Sequence, residues 1–236
     1  MPTGKTFVLV HGAWHGGWCW RRVADRLERQ GHRVYAPTLT GVADRAHLLT
    51  ADITLQTQIT DIVNLMTWSD LTDVVLVGHS YGGFVISGVA EQLEHAIASI
   101  VFLDAFVPED GQSLVDLTGG MSADRIREAE RNGAIAVPPI PSSVFKVNEE
   151  DAAWVDRMCT PHPIRCFLDA VPLGGARERI ARKTYILASA YGGATFVPTH
   201  ARLTKDPSWR TYDVPCGHDV MLDMPDRLTE ILLEVA

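Results

Sequence analysis

The sequence predicts an α/β architecture: a mostly parallel central sheet with helices on both faces and an inserted, mainly helical cap. Three observations carry this. Short apolar runs alternate with helically spaced segments. The first of them, residues 6–11, is a short apolar run, as expected of a strand buried on both faces. Residues 107–182 break the alternation with proline-rich pieces, and they are too long for a simple connection between strands.

In chain order, "TFVLVH" (6–11) reads as the first strand, residues 18–30 as a helix and "RVYAP" (33–37) as the next strand. Residues 54–66 carry apolar side chains at 55, 59, 62, 63 and 66, which is helical spacing. A strand at 73–79, a helix at 81–94 and a strand at 97–103 follow. Strands at 184–190 and 209–214 come after the interruption. Leu228, Ile231, Leu232 and Val235 form a final helical stripe behind Pro225, a residue suited to a first turn. This divides the chain into a core, 1–106 with 183–236, and a cap, 107–182. The cap is expected over the C-terminal edge of the sheet, where ligands sit in open α/β folds.

A net charge of −8 with no Lys/Arg-rich run argues against nucleic acid and anionic membranes as partners. No apolar stretch reaches about 18 residues, and no signal peptide is visible. The four cysteines are widely spaced without a Cys-x-x-Cys pair, which predicts free thiols and a cytoplasmic protein. No metal-ligand spacing such as His-Glu-x-x-His occurs, so no metal or cofactor is expected.

The chemistry is read from "VVLVGHSYGGFV" (74–85). "GHSYG" fits Gly-x-Ser-x-Gly between a strand and a helix. In that setting the serine sits on a sharp, strained turn that exposes its hydroxyl, and side chains two positions away would collide. Ser80 is therefore the candidate nucleophile, with Gly78 and Gly82 giving it room. One oxyanion donor is expected from the backbone N–H of Tyr81, the other from the loop after the first strand. That loop is "HGAWHGGWCW" (11–20), and Ala13 is the candidate. The base belongs late in the chain, after the last strand. Of nine histidines only His218, after Gly217, has that position.

Together "HGAWHGGWCW", "GHSYGG", "LDAFVPEDG" and "PCGHDVML" resemble the α/β-hydrolase fold. Within it they resemble the branch of plant methylesterases, hydroxynitrile lyases and related bacterial esterases. The resemblance covers almost the whole chain and is weakest across 107–182. It implies a catalytic acid in the loop after strand 184–190, yet no Asp or Glu lies between Lys183 and Lys205. Asp104, at the end of strand 97–103, becomes the candidate, since that strand should lie roughly 5 Å from the serine's strand. Other α/β-hydrolases place the acid there. Asp213 remains a second candidate, whereas Asp219, adjacent to His218, is badly placed to orient its ring.

The implied function is a serine carboxylesterase that cleaves a small, apolar ester through an acyl-enzyme. Two alternatives stand beside it. A hydroxynitrile lyase of the resembled branch would carry a threonine where Val8 stands and a lysine where Asp219 stands. A non-catalytic ligand-binding protein would not need Ser80 and His218. The apolar residues Met121, Val137, Ile140, Val144, Phe145, Trp154, Phe167 and Leu168 are expected to form mainly the cap's own core.

Overall fold

The computed structural model describes residues 4–236, so the first three residues of the expected core lie outside it. Six strands build one parallel sheet: β1 (Thr6–Val10), β2 (Arg33–Tyr35), β3 (Val74–His79), β4 (Ile97–Leu103), β7 (Lys183–Ala188) and β8 (Trp209–Val214). Two further short strands, β5 (Ala136–Val137) and β6 (His162–Pro163), pair antiparallel away from it. The order across the main sheet is β2-β1-β3-β4-β7-β8. The strand that ends at Ser80 and the strand that ends at Asp104 are therefore neighbours, with His79 opposite Leu103.

Alternation along the strands explains why both faces are apolar. Val8, Val10, Leu76, Ile100 and Phe102 point into one core, with α2 (Leu55–Trp68) and α3 (Gly82–Leu93). Phe7, Leu9, Val75, Val77, Val101 and Leu103 point into the other, with α1 (Arg21–Arg29) and the last helix, α11 (Pro225–Glu234). In these central strands, a period of two with apolar residues on both faces leaves no polar stripe, as a doubly covered sheet demands. Thr54 starts α2 by accepting from the Thr57 N–H in a capping box.

The remaining α-helices lie between β4 and α11. Residues between β4 and β7 hold α4 (Leu114–Thr118), α5 (Gly120–Arg131), α6 (Glu149–Met158), α7 (Arg165–Leu168) and α8 (Ala176–Arg179). Beyond β7 come α9 (Phe196–Leu203) and α10 (Val220–Asp223). The inserted stretch is not a separate globule. Leu114, Val115, Ile126, Val137, Ile164 and Phe167 join the sheet's own core. Among the described residues, no helix is long and apolar enough to cross a membrane.

Candidate active site

Ser80 follows β3 directly and adopts φ 53°, a left-handed conformation that is strained for any residue but glycine. Its N–H still bonds the Leu103 carbonyl at 3.2 Å, so the chain leaves the sheet only after that last rung. The flanking glycines are required by close approach. A Cβ on Gly78 would stand 2.7 Å from the Gly82 carbonyl oxygen, and one on Gly82 would stand 2.9 Å from those of Val10 and His11. The sequence reading of both glycines as space for the turn holds in these contacts.

Asp104 repeats the same device one strand over. It follows β4 at φ 40°, and its N–H bonds the Ile186 carbonyl at 2.6 Å. The two strained residues thus emerge side by side at the C-terminal edge. The Asp104 carboxylate is fully buried and accepts two hydrogen bonds, from His218 Nδ1 at 2.5 Å and from the Ala188 N–H at 3.0 Å. His218 sits in the loop between β8 and α10, where the Phe145 carbonyl accepts from its backbone N–H at 2.9 Å.

The other acid candidates go elsewhere. Asp213 is exposed on β8, and the His200 Nε2 lies 3.8 Å from its carboxylate. Asp219 is buried, but it turns its carboxylate to His15 Nε2 at 3.0 Å rather than to the adjacent histidine. Of the sequence candidates, the structure brings Asp104 alone to His218.

The His218 ring is enclosed by aromatic side chains. Phe196 lies nearly parallel to it (centroids 5.3 Å apart, 7° between planes), and Phe145 stacks at 5.3 Å and 28°. Tyr191 and His79 approach within 4.8 and 4.5 Å. Sequence reasoning missed Tyr191 and Phe196 as neighbours of His218. The signal was present: the acid-free loop "ASAYGGATFVP" places two aromatic residues where a carboxylate was expected.

Ser80 and His218 line one cavity of about 140 Å³, together with Ala13 and Tyr81. No hydrogen bond joins the Ser80 and His218 side chains among the described residues; the imidazole's bond is to Asp104. Likewise, the N–H groups of Ala13 and Tyr81 take no part in the loop and turn bonds among the described residues. Val137, Ile140, Val144, Phe145 and Phe167 line the cavity as well, so the inserted segment's apolar residues face a pocket more than expected. Trp154 instead packs edge-on against Trp18, Leu168 packs against the core, and the Met121 side chain lies outside the described residues. Thr118, Ser122 and Arg125 give the cavity its polar side.

A strained serine between a parallel strand and a helix, with an Asp–His pair at the same sheet edge, points to one family. The profile described as "Alpha/beta hydrolase family" matches residues 7–231. The chain belongs to that family. A carbendazim hydrolyzing esterase of Nocardioides sp. (strain SG-4G) is 42% identical over 235 residues, covering 96% of this chain and 97% of that protein. Salicylic acid-binding protein 2 of Nicotiana tabacum is 39% identical over 110 residues, 46% of this chain and 42% of its own length. This and the other plant relatives therefore match over less than half their length. Among solved structures, an extracellular alpha/beta-hydrolase from a Paenibacillus species superposes with a TM-score of 0.85 at 25% identity. It covers 98% of this chain and 99% of its own, and is described as sharing structural and functional homology with tobacco salicylic acid binding protein 2.

Proposed function

We propose that this alpha/beta hydrolase is a serine carboxylesterase acting on a small ester, with Ser80, His218 and Asp104 as its catalytic residues. The observation that carries the proposal is the buried Asp104–His218 bond beside a serine held at positive φ in the same cavity. The likeness to an esterase over nearly the whole of both chains supports ester cleavage.

In this reading His218 Nε2 takes the Ser80 proton as the hydroxyl attacks the ester carbonyl. Asp104 holds Nδ1–H and stabilises the imidazolium that forms. The free N–H groups of Ala13 and Tyr81 receive the oxyanion, each worth about 3 kcal/mol of barrier. His218 then protonates the leaving alcohol, and water repeats the sequence on the acyl-enzyme. Residues 107–182 serve as the cap, because they supply most of the apolar wall opposite Ser80.

The cavity limits the substrate. A volume of about 140 Å³ is close to that of an engineered cavity of about 150 Å³ that takes up benzene, so one ring or a short chain fits. The four cysteines are free thiols, three of them buried, which supports a reducing, cytoplasmic setting.

The test is hydrolysis of a short-chain aryl ester together with labelling by a fluorophosphonate. Wild type should turn over the ester and be labelled on Ser80, and Ser80→Ala should do neither. Labelling at another residue, or a Ser80→Ala variant retaining more than a few per cent of turnover, would overturn the proposal.

A further inference from the structure

We infer that the buried His15–Asp219 pair positions the Ala13 oxyanion donor, by tying the Ala13 peptide to the loop that carries His218. The inference rests on the serine-esterase reading above and adds residues that do not touch substrate.

The geometry begins at His15. Its Nδ1 lies 2.8 Å from the Ala13 carbonyl and its Nε2 lies 3.0 Å from the Asp219 carboxylate. A carbonyl and a carboxylate can only accept, so both ring nitrogens must donate and His15 is an imidazolium. Trp18 stacks on it at 5.1 Å and 19°, a cation–π arrangement. Burial disfavours the charge of both partners. Yet the Asp219 carboxylate holds His15 well above the ordinary histidine value, and His15 holds Asp219 below the usual carboxylate range.

An ion pair with both members almost unexposed is not explained by stability. Desolvation cancels much of its attraction, and a well-packed apolar pair often serves as well or better. What the charges add is direction. His15 fixes the carbonyl of Ala13, while His11 Nδ1–H donates to the Gly12 carbonyl at 2.8 Å. The Gly12 carbonyl belongs to the same peptide unit as the Ala13 N–H, so both peptides flanking Ala13 are held. His11 Nε2 accepts from the Leu39 N–H at 3.0 Å, which fixes its tautomer as a neutral donor. Trp14, next in the chain, is strained at φ 66° and is held by His162 and Thr160. A loop so twisted needs an anchor, and Asp219 supplies it.

The anchor point matters. Asp219 directly follows His218, so the carboxylate that holds the donor loop sits on the backbone of the base. His79 closes the frame. It precedes Ser80, and its Nε2–H donates to the His218 carbonyl at 3.1 Å. Three chain segments that are distant in sequence, carrying donor, nucleophile and base, are thereby joined through one buried cluster.

The experiment compares wild type with Asp219→Asn and with the double variant His15→Gln/Asp219→Asn, which removes both charges and leaves none buried alone. Each is assayed on one aryl ester. Each is also titrated with an aryl trifluoromethyl ketone, which forms a tetrahedral oxyanion on the serine, and with the matching methyl ketone, which does not. The expected result is a kcat loss of about 10²-fold, approaching that for a removed oxyanion donor. KM should stay within about threefold, because the ground state gains little from the donor. Affinity for the trifluoromethyl ketone should fall in parallel with kcat, and methyl ketone affinity should not change. If Asp219→Asn does not fold, the double variant decides. A folded double variant with wild-type kcat and trifluoromethyl ketone affinity would overturn the inference, as would equal losses for both ketones. If wild type forms no adduct on Ser80, the serine reading falls and this inference with it.

Discussion

Replacing Asp104 by Asn tests the acid assignment in a way the structure makes quantitative. The carboxylate has two donors facing it, His218 Nδ1–H at 2.5 Å and the Ala188 N–H at 3.0 Å, and no water-exposed surface. An amide must offer its oxygen to one and its NH₂ to the other. The Ala188 N–H is a backbone group at the end of β7 and cannot become an acceptor. Turning the NH₂ toward it leaves a buried donor unpaired, at about 1–3 kcal/mol. The oxygen therefore faces Ala188 and the NH₂ faces His218. His218 must then accept at Nδ1 and carry its proton on Nε2, where it cannot take one from Ser80. The opposite orientation is held to roughly a tenth of molecules or fewer, and the imidazolium formed there lacks its counter-charge. In a Ser-His-Asp system this exchange lowers turnover by about 10⁴-fold, about 5.5 kcal/mol of barrier. The assay is kcat for purified Asp104→Asn on an aryl ester, with thermal unfolding to confirm a folded protein. A folded variant within tenfold of wild type would refute the reasoning, because the Ala188 bond leaves no productive amide orientation at full occupancy.

Ser80→Gly should abolish turnover and raise stability by about 1 kcal/mol in urea unfolding, since glycine adopts φ 53° without strain; a destabilised variant would count against a strained elbow. Asp213→Asn should keep kcat within about twofold, because this exposed carboxylate has only His200 nearby at 3.8 Å; a large loss would move the acid there. Stability should fall on acidification. Burial lowers the His11 pKa from 6.5 to about 4, so the unfolded chain takes up a proton that the folded one refuses, and about 3 kcal/mol is lost between these values. His79 and His162, also held down by burial, act in the same direction, while His15 acts in the opposite one, its contribution fading as pH rises above 6.5. Urea unfolding at about pH 7, 5.5 and 4 measures this, and a flat or rising profile would contradict it.

What the sequence disclosed follows the range of the interactions involved. The strand at 97–103 was read to the residue, because a run that is apolar but for Ser99 is a local signal. The first strand was read one residue too far, since the His11 side chain bonds Gly12 and Leu39 and does not extend the run. Strand 33–37 ends at Tyr35, at the sheet's edge, where pairing on one side alone supports it. The helix expected from residue 18 starts at Arg21, after a tighter turn at Gly17–Trp20. Asp104 could be named as a candidate because its strand borders that of Ser80, and the structure sets its carboxylate against His218. The partner of Asp219 could not be named, because His15 lies 204 residues earlier and nothing local states where a carboxylate turns. The cavity-facing residues of 107–182 were equally hidden, for that stretch is broken into short helices and proline-rich pieces, and Val137, Ile140, Val144 and Phe145 lie outside its longer helices.

The absence of an acid after β7 also accounts for what that loop does instead. β7 lies next to β4, so the end of either strand opens onto the far side of the His218 ring. With the carboxylate coming from the end of β4, β7 holds Asp104 through backbone groups: the Ile186 carbonyl accepts from its N–H, and the Ala188 N–H bonds its carboxylate. The loop beyond is relieved of any charged group and turns apolar, sending Tyr191 and Phe196 onto the His218 ring and into the cavity. An acid in that loop would have to keep its carboxylate desolvated beside these rings. Placing it on Asp104 lets one loop serve as aromatic wall while the adjacent strand carries the charge. Under the proposed function, the two requirements, a buried anion for the base and an apolar surface for a small ester, are thus met by different segments and need not compete for one.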